Sequence, residues 1–160
     1  MSLMTKHFFR FCLLFLITAL VACTLQEFKL GEELEQNGDY DGAVNAYREA
    51  LRKDPFNKDI DSRYRAVKIK AAAQHFALGR EMLKEGKLAE ALQEFQIALG
   101  LDPENAEHHT ALNDVWRLKN ARQTLLDAKQ MENLGRYDDA LALYESAVEL
   151  DPSLTAAVEG

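Results

Sequence analysis

Three stretches of this chain repeat one another at fixed internal offsets, and that periodicity limits the fold more than any other feature. Gly38-Asp39-Tyr40-Asp41-Gly42-Ala43, Gly86-Lys87-Leu88-Ala89-Glu90-Ala91 and Gly135-Arg136-Tyr137-Asp138-Asp139-Ala140 each run on to an aromatic (Tyr47, Phe95, Tyr144) and an alanine (Ala50, Ala98, Ala147). Each then reaches an Asp-Pro pair: Asp54-Pro55, Asp102-Pro103 and Asp151-Pro152. Such self-similarity marks stacked units, each burying its apolar face only against a neighbour. The unit is helical by its own chemistry. Gly38, Gly86 and Gly135 stand where a helix must end in a left-handed residue. Tyr40, Ala43, Tyr47, Ala50 and Leu51 recur at helical spacing and make one apolar stripe. Its alanines let two helix backbones approach, and the aromatic fills the space between pairs. The proline cannot continue the hydrogen bonding and restrains the residue before it, so each second helix stops there. The expected fold class is all-α.

These residues resemble the tetratricopeptide repeat (TPR), a helix-turn-helix unit of 34 residues. Its first helix matches at Leu30, Gly31 and Leu34, and again at Leu78, Gly79 and Met82. The third copy departs, with Ala128 for the small glycine and Asp127 for a leucine. The repeats span residues 24–57, 72–105 and 121–154, yet the copies lie 48 and 49 residues apart. The extra segments, 58–71 and 106–120, contain neither Gly nor Pro. Ile60, Tyr64, Val67, Ala71, Leu78 and Met82 continue one stripe across the first join, and Leu112, Val115, Leu118, Ala121, Leu125 and Ala128 across the second. Each extension is therefore expected to fuse with the next first helix, making two helices of about 28–31 residues, about 42–46 Å long. The expected architecture is a TPR-like helix-turn-helix array with two elongated helices, a staggered solenoid. The front half of each long helix packs on the preceding hairpin and its back half on the following one, a connectivity like that of spectrin repeats. A kink near Ala71 or Asn120, with a compact superhelix, is the alternative.

Lys6, His7 and Arg10 precede an apolar run from Phe11 to Ala22, with no acid before Glu27. Basic, then apolar, then small residues is the order of a secretory signal, and the run is short for a membrane span of about 20 residues. It closes on Leu20-Val21-Ala22-Cys23, which resembles the bacterial lipobox. That resemblance implies cleavage before Cys23 and a lipid thioether on its thiol. Thr24 in place of an aspartate implies sorting to the outer membrane. Cys12 would leave with the signal. The expected division is a signal peptide at 1–22, with 1–3 as cloning residues. Residues 23–57 then hold the lipidated cysteine and first repeat, 58–105 and 106–154 an extension and repeat each, and 155–160 a truncated or vector-derived tail.

The charge balance, 19 Lys+Arg against 26 Asp+Glu, argues against a nucleic-acid surface. Removing Lys6 and Arg10 leaves 17 basic residues against the same acids. Catalysis needs a nucleophile, acid or base held with partners, and no such constellation or phosphate loop occurs. His108 and His109 are adjacent, so they diverge by about 100° on a helix and do not chelate together; solvent-facing positions near a helix start are expected for both. His75 is read as half-buried and bonded to a neighbouring turn, and Trp116 as core beside Val115. No metal, no cofactor and no enzymatic activity are expected.

The resemblance implies binding instead. Carried onto this sequence, the inner groove is lined by Phe28, Glu32, Glu35 and Gln36, by Phe76, Arg80, Leu83 and Lys84, and by Leu125, Lys129, Glu132 and Asn133. Glu32 and Glu35 take the place of the Lys/Asn/Arg clamp that chaperone-binding relatives use for a terminal carboxylate. Arg80, Lys84 and Lys129 could still meet an acidic or phosphorylated segment. The expected function is a non-enzymatic protein–protein interaction scaffold, lipid-tethered to the periplasmic side of the bacterial outer membrane. It would serve an envelope assembly or transport complex. The alternative is a structural helical spacer of a longer envelope protein whose effector domain lies downstream. Leu143, Tyr144, Ala147, Val148 and Leu150 make no polar cap for the last repeat. That hairpin is expected to form a homodimer or to fray, and the natural chain is expected to continue with a helix, capped at Ser153, that covers it.

Overall fold

The computed structural model describes residues 25–155. Helix α1 runs through residues 25–36, followed by α2 (Tyr40–Lys53), α3 (Lys58–Lys84), α4 (Leu88–Leu101), α5 (Ala106–Asn133) and α6 (Tyr137–Leu150). A 3-10 turn at Pro152–Leu154 follows, and no strand occurs among the described residues. The all-α, TPR-like helical array stands. Helices α3 and α5 have 27 and 28 residues and stay helical through Ala71 and Asn120. Each extension is fused to the helix that follows it.

Local chemistry sets the joints. Gly38, Gly86 and Gly135 have φ of 77°, 75° and 73°. The residue after each donates its amide back to Leu34, Met82 or Met131 at 2.9–3.0 Å, the hydrogen bonding of a left-handed helix end. Asn57 and Asn105 start the long helices. The Asn57 side-chain oxygen accepts from the amides of Asp59 and Ile60, and that of Asn105 from Glu107. The third copy has Leu154 at this position. There Asp151 accepts from the Ser153 amide at 3.0 Å and its hydroxyl at 2.7 Å. Ser153 is thus the partner of the Asp151 cap, and the helix expected to follow it reaches beyond the described residues.

The chain divides between Ala71 and Ala72 into two compact units. In the first, residues 58–71 of α3 join α1 and α2 as level one. Ala43, Val44, Tyr47, Ala50, Ile60 and Val67 are buried there. A Cβ on Gly31 would lie 2.6 Å from Tyr47 Cε1, so only glycine lets α1 meet that ring. In the second unit, Leu88, Ala91, Leu92, Phe95 and Val115 form a core packed by Phe76, Met82 and Leu83 and by Ala111, Leu112 and Leu118. Three segments close on it: 72–84 of α3, α4, and 106–120 of α5. This is level two, the three-helix arrangement expected of a fused extension. Level three is the hairpin of residues 121–133 and α6, joined at the buried alanines Ala128, Ala140 and Ala147.

Several residues differ from expectation. Leu78 is exposed because the back half of α3 turns Ala72, Phe76 and Gly79 inward instead. Trp116 is also exposed: Val115 takes the inward position, and Lys119 Nζ sits 4.9 Å over the indole. His108 is only 4% exposed, its ring 4.9 Å from that of Phe76. It occupies the position that Ile60 holds 48 residues earlier, so the repeat makes it core whatever its polarity. Its neighbour His109 is exposed as expected. In the last hairpin Ala147 is buried and Val148 half-buried; the large apolar residues exposed there are Leu126, Leu134, Tyr137 and Leu141. The expectations for Lys6 to Cys23, for residues 1–3 and for residues 156–160 lie outside the described residues. Among the described residues no helix is long and apolar enough to cross a membrane.

Candidate functional site

The candidate groove residues lie on α1, on the back half of α3 and on the back half of α5, and each copy uses that surface differently. On α1, Glu32, Glu35 and Gln36 line a shallow cleft of about 220 Å³ together with Arg63 and Lys70 of α3. Lys70 Nζ lies 2.7 Å from Glu35 Oε1, and the Tyr47 hydroxyl donates to Glu35 Oε2 at 3.0 Å. Arg63 stands 3.8 Å from both Glu32 and Glu35. The hydrogen bond from Lys70 is the main cause holding the Glu35 carboxyl below its ordinary value, against burial, which opposes it. Lys70 is raised in turn by the same bond. Burial first, and the Glu35 carboxylate second, push the Tyr47 hydroxyl well above its ordinary value. Phe28 packs its ring on Tyr47 at 5.6 Å. The groove face of the first repeat is therefore already engaged by the chain's own extension.

On the second copy, Phe76 is half-buried between Phe95, at 5.3 Å, and His108. His75 Nδ1 meets Glu94 Oε2 of α4 at 2.6 Å, a carboxylate rather than the turn expected. Arg80 and Lys84 are exposed, Lys84 with Glu81 at 3.1 Å. On the third copy, Leu125 is half-buried while Lys129 and Asn133 are exposed. Arg80 and Lys129 make no ion pair among the described residues. No cluster of His, Cys, Asp or Glu suited to a metal occurs among them either.

Arg63 and Lys70 are not among the expected groove residues. The signal was present at the repeat spacing. Glu35, Tyr47, Arg63 and Lys70 become Leu83, Phe95, Ala111 and Leu118 when each is moved 48 residues along the chain. Four positions change together because they line one slot, where the covering helix meets its hairpin. The slot is charged in level one and apolar in level two, and a mixture would bury an unpaired charge.

Level three restores the polar form of the receiving half. Glu132 and Tyr144 stand at the positions of Glu35 and Tyr47, and the Tyr144 hydroxyl donates to Glu132 Oε2 at 2.6 Å. That bond is the first cause raising the Tyr144 hydroxyl above its ordinary value. No third helix covers this hairpin among the described residues. Tyr137 and Leu141, at the positions of Leu88 and Leu92, are 70% and 59% exposed, where Leu88 and Leu92 are 8% each.

Models of the tetratricopeptide repeat match residues 28–57, 76–129 and 132–154, together well over half of the chain. A comparison with curated proteins finds no match.

Proposed function

Because the chain belongs to the tetratricopeptide repeat family, whose members generally act as protein-binding scaffolds, we propose that it is a non-enzymatic interaction scaffold of the bacterial envelope. In this reading a lipid on Cys23 tethers it to the periplasmic face of the outer membrane, where it holds partners of an assembly or transport complex. The tether rests on the sequence alone: Lys6 and Arg10, the apolar run to Ala22, then Leu20-Val21-Ala22-Cys23. The observation that carries the binding role is the pattern of exposure along the array. Arg80, Lys84, Lys129 and Asn133 face solvent on successive first helices, and the last hairpin bares Tyr137 and Leu141. Partner-facing apolar patches of this kind mark interaction surfaces.

Two measurements test it. Cys23→Ala is expected to abolish palmitate labelling and release the protein from the membrane fraction; labelling that survives the change overturns the tether. Photo-cross-linking residues placed singly at Arg80, Lys129 and Leu141 are expected to trap discrete partners in cells. Their failure to trap any protein would overturn the scaffold.

A further inference from the structure

Levels one and two show how a hairpin of this chain is closed. In each, the covering helix begins at a capping asparagine, Asn57 or Asn105. It lays down Ile60, Arg63, Tyr64, Val67 and Lys70 in level one, and His108, Ala111, Leu112, Val115 and Leu118 in level two. These are positions i, i+3, i+4, i+7 and i+10, one face of a helix. Their chemistry follows the hairpin beneath. Where that hairpin offers Glu35 and Tyr47, the helix brings Arg63 and Lys70; where it offers Leu83 and Phe95, the helix brings Ala111 and Leu118.

The third hairpin has the same receiving positions. Tyr137 and Leu141 await apolar cover, and the Glu132–Tyr144 pair repeats the half of level one that takes cations. Leu154 stands where Asn57 and Asn105 start a covering helix, and Asp151 caps the turn there instead. Glu132 presents a carboxylate where level one receives its cations, and that charge complementarity favours a basic helix from another chain as the occupant. A second copy is a poor one, since its basic helix, residues 58–71, is already committed to its own Glu35.

We infer that the α5–α6 hairpin is a docking socket for an amphipathic helix of a partner protein, apolar at i, i+4 and i+7 and basic at i+3 and i+10. Its apolar side chains cover Tyr137 and Leu141, and its two cations close on Glu132 as Lys70 and Arg63 close on Glu35. This deepens the scaffold reading and rests on it.

The test uses the full chain and a defined probe: a synthetic peptide of residues 58–71, stapled on its outer face to hold it helical. Saturable binding is expected, with amide-exchange protection gained over residues 137–144. Glu132→Gln, an exposed change that leaves the fold intact, weakens it about tenfold, as does Arg63→Ala with Lys70→Leu in the peptide. Absence of saturable binding at millimolar peptide overturns the inference, as does binding indifferent to either change. A Leu141→Cys thiol shielded from labelling in the free monomer does so too, because the chain's own residues then cover the face. Self-association abolished by Leu141→Glu would identify a second copy as the occupant and overturn it likewise. If cross-links form from Arg80 or Lys129 while none form from Leu141, the socket fails and the scaffold survives.

Discussion

Gly79 lies so close to the Phe95 ring that a Cβ there would sit 2.7 Å from its Cε1. The ring is fully buried and has nowhere to move. Gly79→Ala is therefore expected to destabilise by about 1–3 kcal/mol from overpacking, less up to about 1 kcal/mol returned by helix propensity. Urea unfolding checks this, and a raised midpoint would show the contact to be slack. The third copy bears the point out within one chain: Ala128 supplies the Cβ, and Tyr144 is only half-buried. Glu35 gives a second residue-scale expectation. Its carboxyl is held below the ordinary value near 4.5, so it contributes stability that is fully present above that pH and is lost as pH falls toward the folded value. Lys70→Met removes the main cause. The Glu35 carboxyl should then titrate at higher pH by carbon NMR, and the acid-side loss of stability should become shallower. An unmoved titration would mean that the Lys70 contact does not persist in solution.

At the scale of the element, the same position changes its worth with what lies over it. Leu92 is covered and Leu141 is not. Leu92→Ala should cost about 2–5 kcal/mol through lost burial and a cavity, while Leu141→Ala should stay within about 0.5 kcal/mol. Calorimetry on the two variants decides it; equal losses would mean that α6 is covered in solution. Sequence alone made most elements legible, since glycine ends, Asp-Pro stops and an unbroken stripe are all local signals. It failed at His108 and Trp116. Their burial depends on which side of α5 meets α4, and residue type argued the wrong way for both. Comparison with Ile60, 48 residues back, was the available signal for His108.

Across the whole molecule, the repeat made the first-helix surface readable but not who occupies it. Glu32 and Glu35 were visible as groove residues, whereas Arg63 and Lys70 belong to a segment with no counterpart in the 34-residue unit. Only their joint replacement by Ala111 and Leu118 places them. The alternation of charged and oily linings bears on how such a chain finds its native pairing at all. Two nearly equivalent helical segments, 58–71 of α3 and 106–120 of α5, each have a choice of partners during refolding, and mispairing is the characteristic failure of repetitive chains. Forcing residues 58–71 into the wrong place would strand two cations against leucine, and the reverse would leave Glu35 without a counter-charge. The linings thus act as a sorting code that penalises each crossed pairing. Erasing it with Glu35→Leu, Tyr47→Phe, Arg63→Ala and Lys70→Leu should leave equilibrium stability unchanged or higher, while refolding slows and splits into several phases as scrambled intermediates accumulate.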